Sequence, residues 1–161
     1  CTKLTDYGLT ELFIEISYLK DLRSLRLDFG ICELITDSGL RALKESIKPL
    51  SLLKTLTLDF TCVKRISDIG IYSLADSFSG LLDLRMLTLR LGYCERLTNN
   101  SLRVLLNSFR NLKLESLSIH LEGIENITKE GIKDMKDGIK TMESLKEIKL
   151  LSNVGSMIKK F

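Results

Sequence analysis

The chain has 161 residues, 44% of them hydrophobic, with no tryptophan, a single proline at Pro49, and 24 basic against 21 acidic side chains. That length can bury a substantial core, whereas a formal charge of +3 is too small to argue for nucleic acid or an anionic membrane surface as the partner. No apolar run approaches the roughly 18 residues that a bilayer-spanning helix needs, so no membrane is expected either.

The phrase LTDYGL starts at Leu4 and leads into Leu9, Leu12, Ile16 and Leu19, spaced by three, four and three like the stripe of an amphipathic helix. Next comes Leu22-x-x-Leu25-x-Leu27, where the spacing falls to two, the alternation of a strand with one buried face. The same pair of phrases then returns. ITDSGL at Ile35 is followed by Leu40, Leu43, Ile47 and Leu50, then by Leu53-x-x-Leu56-x-Leu58. ISDIGI at Ile66 precedes Leu84-x-x-Leu87-x-Leu89, and LTNNSL at Leu97 precedes Leu114-x-x-Leu117-x-Ile119. Last, ITKEGI at Ile127 precedes Leu145-x-x-Ile148-x-Leu150. Successive starts lie 31, 31, 31 and 30 residues apart. Two different phrases recurring in phase five times define an internal repeat.

Local chemistry agrees with a helix followed by a strand in each unit. Thr36 or Asp37 stands where a helix N-cap belongs, its side-chain oxygen accepting from an otherwise unpaired N–H. Gly39, in the first turn, has no side chain to hold a neighbouring unit away. Thr55, Thr57 and Thr88 favour extended backbone. Phe29, Phe60, Leu91 and Leu121 continue the alternation and predict a longer buried strand. Units four and five depart from the pattern at Asn99, Asn100 and Ser101, and at Lys129 and Glu130, which predicts looser caps.

These units predict an α/β fold in a single domain over 1–161, with parallel strands on one side and helices on the other. Parallel strands sit about 4.8 Å apart and helices need about 10 Å, so the stack should curve with its strands on the concave side. The expected shape is a right-handed βα arc rather than a closed ring. Cys1 stands where a previous unit would end, and Met157-Ile158 looks like the start of a sixth. With no polar cap read at either end, the chain is expected to be a fragment of a longer stack.

Cys1, Cys32, Cys62 and Cys94 fall once per unit, just after the strand, with no C-x-x-C pair among them. Thiols spread along the stack cannot converge on one metal ion, so no metal is expected. They are read as a column of buried, reduced side chains acting as small hydrophobes, which points to a cytoplasmic protein.

The strand phrase L-x-x-L-x-L followed by C-x-x-[IL]-T resembles the cysteine-containing class of leucine-rich repeats, similar also to ribonuclease-inhibitor-like proteins. The motif stands here as Cys1-Thr2-Lys3-Leu4-Thr5, Cys32-Glu33-Leu34-Ile35-Thr36 and Cys94-Glu95-Arg96-Leu97-Thr98. Such repeats occur in substrate receptors of ubiquitin ligases and in cytoskeletal or ciliary scaffolds. The resemblance implies a leucine-rich repeat solenoid that binds another protein, mostly through its concave strand face.

No catalytic constellation is legible: His120 is the one histidine, and no glycine pattern cradles phosphate. Neither an enzyme, a cofactor nor a small-molecule substrate is therefore expected. Partner contacts should come from side chains between the buried leucines. One column is Arg26, Thr57, Thr88, Ser118 and Lys149, and the next is Asp28, Asp59, Arg90, His120 and Leu151. A step earlier lie Arg23, Lys54, Arg85, Glu115 and Lys146, four of five basic, which suggests an acidic partner segment. The competing reading is a structural subunit built permanently into a large assembly through its helical face or its stack ends.

Overall fold

The computed structural model describes residues 3–161, so the reading of Cys1 lies outside the described residues. Helix and strand alternate throughout: α1 (Asp6–Ser17), β1 (Ser24–Asp28), α2 (Asp37–Ile47), β2 (Thr55–Asp59), α3 (Asp68–Ser77), β3 (Met86–Arg90), α4 (Asn99–Phe109), β4 (Ser116–Leu121), α5 (Lys129–Lys140) and β5 (Glu147–Ser152), closed by β6 (Met157–Lys160). A one-turn 3₁₀ segment, Phe78–Gly80, extends α3. The six strands form one open sheet in sequence order, parallel from β1 to β5, with β6 antiparallel. Each helix packs on the helices before and after it. Among the described residues, no helix is long and apolar enough to cross a membrane.

One apolar cluster runs through all the units, taking Leu40, Leu43 and Ile47 from α2 and Leu56 and Leu58 from β2. Leu58, Leu89 and Ile119 are 0% exposed, as the period of two requires. Phe29, Phe60, Leu91 and Leu121 are buried too. Of these only Leu121 lies within a strand as such. The parallel ladder nevertheless runs on past the strands, from Phe29 N–H to the Asp59 carbonyl (2.7 Å) and from Phe60 N–H to the Arg90 carbonyl (2.8 Å). In α1 the stripe departs from expectation. Leu12 and Leu19 are exposed and Phe13 is buried instead: among the described residues α2 is the one helix packed on α1, so only the side of α1 that faces it is covered.

Unit-to-unit register is held by the first residue of α1 to α4, a carboxylate in the first three and an amide in the fourth. Thr36 does cap α2, accepting from Ser38 N–H at 3.2 Å. Asp37 instead reaches forward into the next unit. It accepts from the Ser67 backbone N–H (2.7 Å), the Ser67 hydroxyl (2.7 Å) and Gly70 N–H (3.1 Å). Asp6 does the same for Thr36 (2.9 and 2.6 Å), and Asp68 for Thr98 (2.9 and 2.6 Å). Asn99 continues the series, accepting from Thr128 N–H at 3.0 Å and donating to its hydroxyl at 2.9 Å. The caps of units four and five are therefore not loosened: Thr98 accepts from Asn100 N–H (3.1 Å) and Thr128 from Gly131 N–H (3.3 Å). Gly39 follows from the same contact, since a Cβ there would stand 2.7 Å from Asp6 Oδ1.

The cysteines do not form one column. Cys32 and Cys94 are buried at equivalent positions, but the residue between them in phase is Val63. Cys62 sits one residue earlier, equivalent to Ile31 and Tyr93, and is half-buried. These three share a left-handed backbone, with φ of 61°, 62° and 61°, a conformation that costs any residue with a Cβ. Each N–H there bonds a carbonyl of the following unit at 2.7–2.8 Å, so the turn is fixed by the stack. Burial pushes the Cys94 thiol up to about 12, leaving it protonated and inert.

Met157-Ile158 does not begin a sixth unit. It lies in β6, which turns back antiparallel along β5 and presents Ile158, Lys159 and Lys160 to solvent. The β5 edge thus has a largely polar covering strand, contrary to the expectation of two bare ends.

Candidate functional site

The alternation that buries Leu56 and Leu58 turns their neighbours to the opposite face of the sheet. Strand register brings the expected columns together. Arg26, Thr57, Thr88, Ser118 and Lys149 are successive partners, and so are Asp28, Asp59, Arg90, His120 and Leu151. With about 4.8 Å between strands, each column is a continuous row of side chains. A third row, Ser24, Thr55, Met86, Ser116 and Glu147, is also in register. It was not among the expected columns, although strict counting by two back from Thr57 reaches Thr55 and, in the next unit, Met86.

Arg23, Lys54, Arg85, Glu115 and Lys146 lie one residue ahead of the strands. Their backbones are locked: the Arg23 carbonyl accepts from Lys54 N–H (2.8 Å) and Thr55 N–H (3.0 Å), and Lys54, Arg85 and Glu115 repeat the pattern. Their side chains are not equivalent. Lys146 Nζ bonds Glu115 at 2.5 Å, and Arg85 Nε stands 4.0 Å from the same carboxylate. The Lys146 ammonium holds the Glu115 carboxyl below the usual range. Arg85 also donates to the carbonyls of Leu82 (3.4 Å) and Leu84 (3.1 Å). This half of the basic column is spent on itself.

Carboxylates on the same face are committed as well. Asp59 accepts from Thr61 N–H (2.9 Å) and the Thr61 hydroxyl (2.6 Å), and Arg90 pairs with it at 3.3 Å. Burial works to raise its carboxyl, but those donors outweigh burial and leave it below the ordinary value. Asp28 accepts from Gly30 N–H at 3.0 Å. Arg23, Arg26 and Lys54 are exposed, and among the described residues no carboxylate lies within ion-pair distance of them. Arg23, Arg26 and Lys54 thus group uncommitted positive charge at the β1 and β2 end of the outward face, while Lys149 on β5, exposed and likewise without an ion pair among the described residues, stands apart at the other end.

His120 is half-buried rather than simply exposed. Its Nε2 is 3.1 Å from the Ser118 hydroxyl, and its Nδ1 is 3.7 Å from Glu122, beyond hydrogen-bond reach. Burial, with Lys149 and Arg90 nearby, lowers its pKa despite Glu122, which disfavours the charged ring. Thr57 and Thr88 stand between the cationic and histidine-bearing ends, half-buried and polar.

Among the described residues, no three His, Cys, Asp or Glu side chains are placed to hold a metal ion. On the helical side, a groove of about 300 Å³ between α3 and α4 is lined by Tyr72, Asp76, Val104, Asn107, Ser108 and Asn111. It brings no nucleophile and base together. No protein-family model matches the chain, and no curated protein matches it.

Proposed function

We propose that this chain is a leucine-rich repeat solenoid of the cysteine-containing, ribonuclease-inhibitor-like class, curved with its strands on the concave side. It serves as an intracellular protein-interaction scaffold or adaptor, not an enzyme, and binds a partner through the concave face. The observation that carries this reading is the trio Arg23, Arg26 and Lys54: three exposed cations on a rigid ladder, with the nearby carboxylates engaged elsewhere. An acidic, extended segment of a partner protein fits such a face. Charge-assisted contacts would fix its register, and Thr57 and Thr88 offer hydroxyls alongside. Buried, protonated Cys94 suits a reducing compartment.

Capture from a cell extract with the wild-type chain, with Arg23→Glu/Arg26→Glu/Lys54→Glu, and with Lys133→Glu/Lys140→Glu on the helical face tests this. Proteins lost with the first variant and retained with the second are the expected result. An identical set from all three removes the concave-face reading. A structural subunit remains the second reading, and the exposed leucines at the β1 end favour it.

A further inference from the structure

The two ends of the stack differ chemically, and the difference identifies what the β1 end is made to hold. Every unit after the first receives an acid or amide from its predecessor: Asp6 to Thr36, Asp37 to Ser67, Asp68 to Thr98, Asn99 to Thr128. The receiving site has two parts, a Thr or Ser at the helix N-cap and a small residue three positions later. At Gly39 and Gly70 a Cβ would meet Asp6 and Asp37, and at Gly131 it would meet Asn99; in unit four the small residue is Ser101, whose hydroxyl donates to the delivered Asp68.

The first unit carries the same receiving parts, Thr5 and Gly8, and among the described residues no acid or amide is delivered to them. Thr5 makes no side-chain cap bond. A Cβ on Gly8 would meet only Leu4 Cδ1 of its own unit, at 3.3 Å. Inside its own helix a glycine costs about 1 kcal/mol relative to alanine, and no contact in this structure offsets that. The surrounding leucines are in the same condition. Leu12 and Leu19 are 44% and 51% exposed, whereas Leu43 and Leu50, their equivalents one unit on, are 0%. Among the described residues, strand β1 pairs only with β2, and its other edge has no strand partner.

We infer that the β1 end is a docking site for one further helix–strand unit of this same design, with Asp or Asn as its first helical residue and a leucine-bearing parallel strand. Its carboxylate or amide would bond Thr5 and sit over Gly8, its apolar side chains would cover Leu12 and Leu19, and its strand would pair with β1. A second copy of this chain does not supply that unit. At the opposite end the delivering position is Lys129, a cation, and the β5 edge is occupied by β6. This inference does not rest on the partner-binding reading of the concave face.

The test places a copy of residues 35–62 ahead of Cys1 in the full chain, in phase with the repeat, and compares melting midpoints. The added unit should raise the midpoint by roughly 5 °C or more. Changing Asp37→Ala within the added copy should remove much of the rise. Gly8→Ala is the sharper readout: neutral or stabilising in the unextended chain, destabilising in the extended one. An unchanged midpoint, or the same effect of Gly8→Ala in both chains, overturns the inference. So does a concentration-dependent dimer of the unextended chain that Gly8→Ala leaves intact while charges placed at Leu12 and Leu19 abolish it, because a second copy would then hold the face without the Thr5–Gly8 contact.

Discussion

Replacing Asp37 with alanine removes three hydrogen bonds to the following unit at once: from Ser67 N–H and hydroxyl, both at 2.7 Å, and from Gly70 N–H at 3.1 Å. Bonds to a charged acceptor contribute about 1.5–3 kcal/mol each, but they share one carboxylate and are not additive. The loss of an acid from the first turn of α2 adds about 0.3–1 kcal/mol. A total of about 3 kcal/mol is expected, which for a chain of this size lowers the melting midpoint by roughly 6–12 °C. Asp37→Asn should keep about half or more of the stability, because Asn99 already does the same work two units later. Urea denaturation followed by circular dichroism measures both, and a cycle with Gly70→Ala isolates the contact. A methyl group at Gly70 meets Asp37 in the wild type, so its cost should shrink by about 1 kcal/mol once the carboxylate is gone. A loss below about 0.5 kcal/mol for Asp37→Ala, or strict additivity with Gly70→Ala, would refute the carboxylate as the joint between units.

Leu89→Ala should cost about 2–5 kcal/mol, as a large-to-small change in a packed core does, while Thr88→Ala beside it should stay within about 0.5 kcal/mol; equal effects in urea melts would contradict the strand's two-faced pattern. Under native conditions an alkylating reagent should modify Cys62 well before Cys32 or Cys94, read by peptide mass mapping, and prompt labelling of Cys94 would contradict its burial. Stability should fall as pH drops below about 4. Partial burial tends to raise the Asp68 carboxyl, but the bonds from Ser101 and Thr98 hold it below its ordinary 3.8. Its contribution is therefore full above that value and lost as pH falls through the lower folded one. Asp68→Asn should flatten the decline below about pH 4, and an unchanged slope in denaturation series would count against Asp68.

Much of the fold was legible because it is written five times. The offset of 31 residues and the switch from a helical to an alternating period place every helix and strand from α1 to β5. What the repeat hid was the role of its aspartates. Asp37 looks local in sequence, where a cap is read within three residues, but its partners are 30 and 33 positions on. The misplacement of Cys62 was avoidable: counting 31 from Cys32 arrives at Val63, and the neighbouring cysteine only resembles its column. β6 could not be read from Met157-Ile158, because pairing direction is decided by the short turn after β5 and not by residue type. On the outward face, the columns followed from alternation alone. Which charges are free did not, since the pairing of Glu115 with Lys146 crosses strands.

The outward columns matter only if the strands present alternate residues to solvent while the units share one closed apolar interior. Six variants, each carrying one new cysteine in a chain whose natural cysteines have been replaced, test this directly by their rates of alkylation. Three are outward, Thr57→Cys, Thr88→Cys and Ser118→Cys, and three inward, Leu58→Cys, Leu89→Cys and Ile119→Cys. Rapid labelling of the outward three and protection of the inward three is the expected result. Comparable rates in both sets, or a thiol at position 89 that reacts as fast as one at position 88, would contradict it.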